Sequence, residues 1–94
     1  MIQIHDVATG VLADLIRRQP ASKERTAFAW QLAVGPALAR VTAVDLVDGV
    51  LTVSAADPRW VHEVLRARES VLRKMQYLLG ADQVTRLTSR RDPG

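Results

Sequence analysis

Val41-Thr42-Ala43-Val44-Asp45-Leu46-Val47-Asp48-Gly49-Val50-Leu51-Thr52-Val53-Ser54-Ala55 is the stretch that decides the fold. Two β-rich runs flank Asp48-Gly49, a pair that suits a two-residue type I′ turn because both of its positions need positive φ. Such a turn sets Leu46 opposite Leu51, Val44 opposite Val53 and Thr42 opposite Ala55, all on one face. Ala43, Asp45, Thr52 and Ser54 take the other face. Register and burial therefore agree, and a hairpin with one apolar side is predicted.

Upstream of it, a helix is expected to begin near Asp6 or Thr9, either of which can cap it, and to bury Val7, Val11, Leu15 and Ile16. Arg17 and Arg18 suit its C-terminal dipole, and Pro20 stops it. A second helix follows Ser22 through Phe28, Trp30, Leu32 and Val34 to Gly35. Gly35-Pro36 then ends one helix and starts a short turn to Arg40. Downstream, Asp57 as N-cap and Pro58 at the first helical position open one long helix reaching Leu79, with Gly80 as its stop. Trp60, Val61, Val64, Leu65, Val71, Leu72, Met75, Leu78 and Leu79 form its apolar stripe. Arg68 falls within that stripe, where a charge must snorkel to the margin or find a carboxylate.

A last strand over residues 84–89 must pair with the hairpin, since a two-stranded ribbon alone is only marginally stable. The expected fold is α+β in the order α-α-β-β-α-β, a three-stranded sheet packed on helices. The 94 residues suit one domain, with residues 90–94 as a short tail. Trp30 and Trp60 are expected to anchor the core, one from each main helix. Phe28 and Leu32 lie away from the Ala27/Val34/Leu38 side of the second helix. That helix is thus apolar on more than one side, and sandwiching inside the domain is the first expectation. An exposed protein-binding patch is the alternative.

Composition removes several classes of function. The chain has no Cys, which excludes disulfides, thiolate metal sites and cysteine nucleophiles. It is 48% hydrophobic and 24% charged, as an ordinary globular protein is and a disordered one is not. No apolar run approaches a membrane span, and the first residues lack the pattern of a signal peptide, so the cytoplasm is the expected location. Neither His5 nor His62 stands at metal-ligand or triad spacing, and His62 reads as a solvated helix residue. Each acid has a structural use: Asp48 in a turn, Asp57 as a cap, Glu69 four residues before Arg73. Phosphate-cradling glycine motifs are missing. No catalytic residue, cofactor, metal or small-molecule substrate is expected, and an enzyme is not.

The basic residues carry the better signal. Net charge is only +3, but Arg59 to Arg91 holds eight basic residues (Arg59, Arg66, Arg68, Arg73, Lys74, Arg86, Arg90, Arg91) against Glu63, Glu69 and Asp82. Arg59, Arg66 and Arg73 recur every seventh residue and so form a ridge along one helical side, with Lys74 beside it. Such a line of guanidinium groups fits successive phosphates or an acidic protein surface. Arg86, Arg90 and Arg91 add charge at the C-terminal end. The polar face of the hairpin has no aromatic ring on which a base could stack.

The segment Phe28-Ala29-Trp30-Gln31-Leu32-Ala33-Val34-Gly35-Pro36-Ala37-Leu38-Ala39, then Thr42, Leu46-Val47-Asp48-Gly49-Val50-Leu51-Thr52-Val53 and Trp60, resembles the DciA family of bacterial replicative-helicase loaders. Shared are a Trp-x-x-x-Val-Gly helix end, an Asp-Gly-x-Leu-x-Val turn and strand, an aromatic near the start of the following helix, and a closing strand matched by Val84-Thr85-Arg86-Leu87. The resemblance spans residues 8–89. It implies a KH-like domain that binds a DnaB-type helicase and helps it onto single-stranded DNA without hydrolysing ATP. The Gly-x-x-Gly clamp of KH domains is missing, because Gly80-Ala81-Asp82-Gln83 lacks the second glycine. A nucleic-acid contact here would therefore differ from the standard KH mode. The alternatives are a DNA- or RNA-binding module with no helicase partner, and an interaction or dimerisation module using the second helix.

Overall fold

The hairpin forms with the register its turn dictates. In the computed structural model, which describes residues 4–90 and their side chains from Gly10 onward, β1 (Ala43–Val47) pairs antiparallel with β2 (Val50–Ser54). Leu46 faces Leu51 and Val44 faces Val53; the ladder ends at Ala43 and Ser54, one pair short of Thr42 and Ala55. Asp48 and Gly49 have φ of 51° and 82°, the two positive values a type I′ turn needs. The turn also receives the third strand. The Gly49 carbonyl accepts bonds from the Thr85 N–H (2.7 Å), the Arg86 N–H (3.2 Å) and the Thr85 hydroxyl (3.1 Å).

β3 (Arg86–Ser89) lies parallel to β2, giving the order β1-β2-β3. A parallel pair needs a crossover connection. Here α4 (Pro58–Arg66) and α5 (Arg68–Leu79) supply it. The full order is α1 (Ile4–Arg18), α2 (Lys23–Val34), α3 (Pro36–Arg40), β1, β2, α4, α5, β3. This is the expected α+β architecture. Side-chain alternation sends Leu51, Val53 and Leu87 to the helix-covered face, where all three are buried. They join Trp30, Val64, Val71, Met75, Leu78, Leu79 and Val84 in one core.

The expected single long helix is broken at Ala67, whose φ of −108° and ψ of 25° end α4 and begin α5. The break falls beside the charge in the stripe. A continuous helix would turn Arg68 toward the core, and an unpaired buried cation costs several kcal/mol. A local turn, closed by the Ala67 N–H on the Val64 carbonyl (3.1 Å), leaves Arg68 exposed instead. The Val71 N–H still reaches the Ala67 carbonyl (2.9 Å), so α5 starts without a gap.

Helix α1 begins by Ile4, ahead of both proposed caps, and of its expected buried residues Ile16 is buried while Val11 and Leu15 are not. Ala13 and Ile16 are buried, while Val11 is 57% and Leu15 50% exposed; the side chain of Val7 lies outside the described ones. Its contact with α5 is built on small residues. A Cβ on Gly10 would stand 3.4 Å from the Tyr77 hydroxyl, and Arg17 donates from Nη1 to the Tyr77 carbonyl (2.8 Å) while its guanidinium lies 5.6 Å from the ring centroid. Helix α2 is capped by the Ser22 hydroxyl on the Arg25 N–H and ended at Gly35 with φ 91°. It buries Thr26, Ala29, Trp30 and Ala33. Phe28 is 46% and Leu32 40% exposed, so α2 is not sandwiched.

Trp30 fixes the start of the sheet. Its indole Nε1–H donates to Thr42 Oγ1 (2.9 Å), and the Thr42 hydroxyl donates to the Leu38 carbonyl (2.8 Å). One chain of bonds thus ties α2, α3 and the residue before β1.

Candidate nucleic-acid interface

Where β2 leaves the sheet, Asp57 starts α4 as a cap and Pro58 occupies its first turn. Asp57 Oδ1 accepts the Arg59 N–H (2.9 Å), and Oδ2 accepts Arg59 Nε (3.0 Å) and Nη2 (2.7 Å). The side-chain bonds from Arg59, then its backbone N–H, hold the Asp57 carboxyl below the usual carboxylate range. The same pairing raises the Arg59 guanidinium. Arg59 also sits over the Trp60 ring, 5.6 Å from its centroid.

Trp60 does not anchor the core as expected. It is half-buried, because the first turn of α4 places it at the end of the sheet rather than beneath it. There it lines an open cleft of about 620 Å³ with Arg40, Val41, Ser54, Asp57 and Arg90. Arg90 follows β3 directly, its N–H bonded to the Val53 carbonyl (3.0 Å). Its side chain is exposed and lines the cleft. Arg40 comes from the last turn of α3.

The expected arginine ridge is divided by the break at Ala67. Arg59 and Arg66 belong to α4, Arg73 and Lys74 to α5. Arg59 pairs with Asp57 and Arg66 with Glu63 (3.4 Å), in both cases at the surface. Glu69 and Arg73 are both exposed, and no ion pair joins them. Arg86 is exposed at the opposite end of β3 from Arg90. Arg91 lies outside the described residues. The fold therefore brings Arg59 and Arg90 to one end of the sheet and does not gather Arg66, Arg73, Lys74 or Arg86 with them. Sequence reading missed Arg40. Its signal was position: the last residue before the β1 lead-in, on the same short helix that Gly35-Pro36 announces.

A second surface is apolar. Leu12, Leu15, Ile16 and Phe28 line a groove of about 450 Å³ between α1 and α2. Val11 and Leu32 each stand one helical turn from it, four residues from Leu15 and Phe28 respectively. His62 is exposed, as expected, and the side chain of His5 lies outside the described ones. Among the described residues no group of three or more His, Asp or Glu could hold a metal ion, and no helix is long and apolar enough to cross a membrane.

A family model described as "Dna[CI] antecedent, DciA" matches residues 3–88. In comparisons with curated proteins and with solved structures, the chain has no match.

Proposed function

The chain belongs to the DciA family, and from that premise we propose that residues 1–94 act as one cytoplasmic, non-enzymatic module that binds a DnaB-type replicative helicase and helps place it on single-stranded DNA. The family match over residues 3–88 carries this reading. Two features of the surface support a division of labour. The apolar groove flanked by Val11, Leu15, Phe28 and Leu32 is the kind of patch that soluble proteins keep for a protein partner. The cationic side chains, Arg59, Arg66, Arg73, Lys74, Arg86, Arg90 and Arg91, suit phosphates, whose contacts position without reading sequence. Trp30, Gly35, Asp48, Gly49 and Asp57 serve the fold. No step needs a nucleotide or a metal from this chain: its contribution is binding energy that differs between helicase states.

The test is capture of purified DnaB-type helicase by the immobilised chain, followed by helicase placement on circular single-stranded DNA. Capture by the parent, lost in Phe28→Asp, is expected. Capture unaffected by Phe28→Asp removes the groove from the reading, and no capture at all removes the helicase. Charge reversal at Arg66 and Arg73 that leaves both helicase and DNA binding unchanged removes the ridge.

A further inference from the structure

We propose that the cleft at the end of the sheet is a single-nucleotide stacking site for single-stranded DNA, with a base on the Trp60 indole and the flanking phosphates on Arg40 and Arg90. This rests on the reading that the chain binds single-stranded DNA, and it names the place.

Three observations converge there. Trp60 is the one tryptophan kept out of the core: Trp30 is 2% exposed with its indole N–H bonded to Thr42, whereas Trp60 is half-buried in an open cleft. The group already on its ring is a guanidinium, that of Arg59, a flat cation of the kind that shares stacking positions with bases in single-strand sites. The only carboxylate lining the cleft, Asp57, has both oxygens engaged by Arg59, so it opposes an incoming phosphate little. Arg40 and Arg90, from α3 and the end of β3, flank the ring, and neither makes an ion pair among the described residues.

The chemistry selects a single strand. In a duplex the base faces are stacked inside and unavailable to an indole, whereas a splayed strand offers one face per nucleotide. A cleft of about 620 Å³ falls in the range of small-molecule sites and is large enough for a nucleotide. It lies at the end of the sheet, so the aromatic ring that the strands lack comes from the first turn of α4.

The experiment uses the full chain and a dye-labelled oligothymidylate of roughly 15 nucleotides, within the span of single-strand site sizes. Binding is followed by anisotropy and, without the dye, by tryptophan emission. The parent is expected to bind with quenching that Trp60→Phe abolishes, since Trp30 is sealed. Trp60→Leu, which keeps apolar bulk but no ring, weakens binding roughly 5- to 150-fold, the loss of one stacked base. Arg40→Gln and Arg90→Gln, both at exposed positions, each lower the slope of log affinity against log salt by about 0.7. A duplex of equal length binds more weakly than the single strand. If the parent binds while Trp60→Leu, Arg40→Gln and Arg90→Gln all match it, this site is wrong and the DNA reading stands. If the parent does not bind the oligonucleotide, both are overturned.

Discussion

Thr42→Val strands a buried donor, and its cost can be worked from the bonds around it. The hydroxyl of Thr42 accepts from the Trp30 indole N–H and donates to the Leu38 carbonyl. Leu38 keeps a second partner, the Val41 N–H at 3.2 Å. The indole N–H has no alternative, and its side chain is 2% exposed. Leaving such a donor unpaired costs about 1–3 kcal/mol. For a domain of this size a loss of about 2 kcal/mol lowers the melting temperature by roughly 8–16 °C. Trp30→Phe removes the stranded group along with part of the core, so the double variant costs less than the two singles summed. The shortfall, a coupling of about 1 kcal/mol or more, is the measure of this bond. Urea unfolding followed by far-ultraviolet circular dichroism on all four proteins supplies the cycle. A Thr42→Val cost under about 0.5 kcal/mol, within the scatter of neutral surface changes, or strictly additive variants, refutes the reasoning. The bond also bears on function, because it holds the junction from which Arg40 and Val41 enter the Trp60 cleft.

Three further outcomes follow from the same geometry. Gly49→Ala destabilises by about 1–3 kcal/mol in thermal unfolding, since the new Cβ meets Thr85 Oγ1 at 2.9 Å and the backbone keeps φ at 82°; a parent-like melt would show that β3 does not dock on the turn. Asp57 titrates below the ordinary carboxylate value in a carboxyl-carbon NMR titration, and Arg59→Gln moves the midpoint back up. Its folded value is depressed, so the stabilisation it gives is present above the unfolded value of 3.8 and is lost as pH falls through the folded one. An unmoved midpoint in Arg59→Gln would contradict the pairing. Leu15→Ser and Phe28→Ser change stability by less than about 1 kcal/mol, because both side chains are about half exposed; a large loss would mean that the groove belongs to the core.

Much of this architecture was legible because local chemistry and global fold agree. Asp48-Gly49 dictated the turn, the turn dictated the register, and the register placed Leu51 and Val53 in the core. Ser22, Gly35 and Pro36 marked boundaries that the structure keeps. What escaped were decisions made by small residues and by one charge. In α1 and α2 the buried faces combine Ala13, Ala29 and Ala33 with Ile16 and Trp30, and bulky Val11, Leu15, Phe28 and Leu32 are left outside. Counting large apolar side chains does not separate these two sets, because small residues also pack into the buried face. Arg68 was recognised as a conflict in the apolar stripe, and it ends up exposed. What the stripe did not announce is the bend at Ala67, which divides the arginine ridge. For the candidate site, the basic residue types were readable, but their convergence was not: Arg40, Trp60 and Arg90 lie on α3, α4 and the end of β3. Only tertiary structure brings them together.

The most direct test is helicase placement itself. Purified DnaB-type hexamer, circular single-stranded DNA and this chain are mixed with no other loader, and helicase retained on the circles after a salt wash is counted. Retention that depends on the chain and falls with Phe28→Asp or with Trp60→Leu is expected. Equal retention with and without the chain, in the presence of helicase shown to be active, contradicts it.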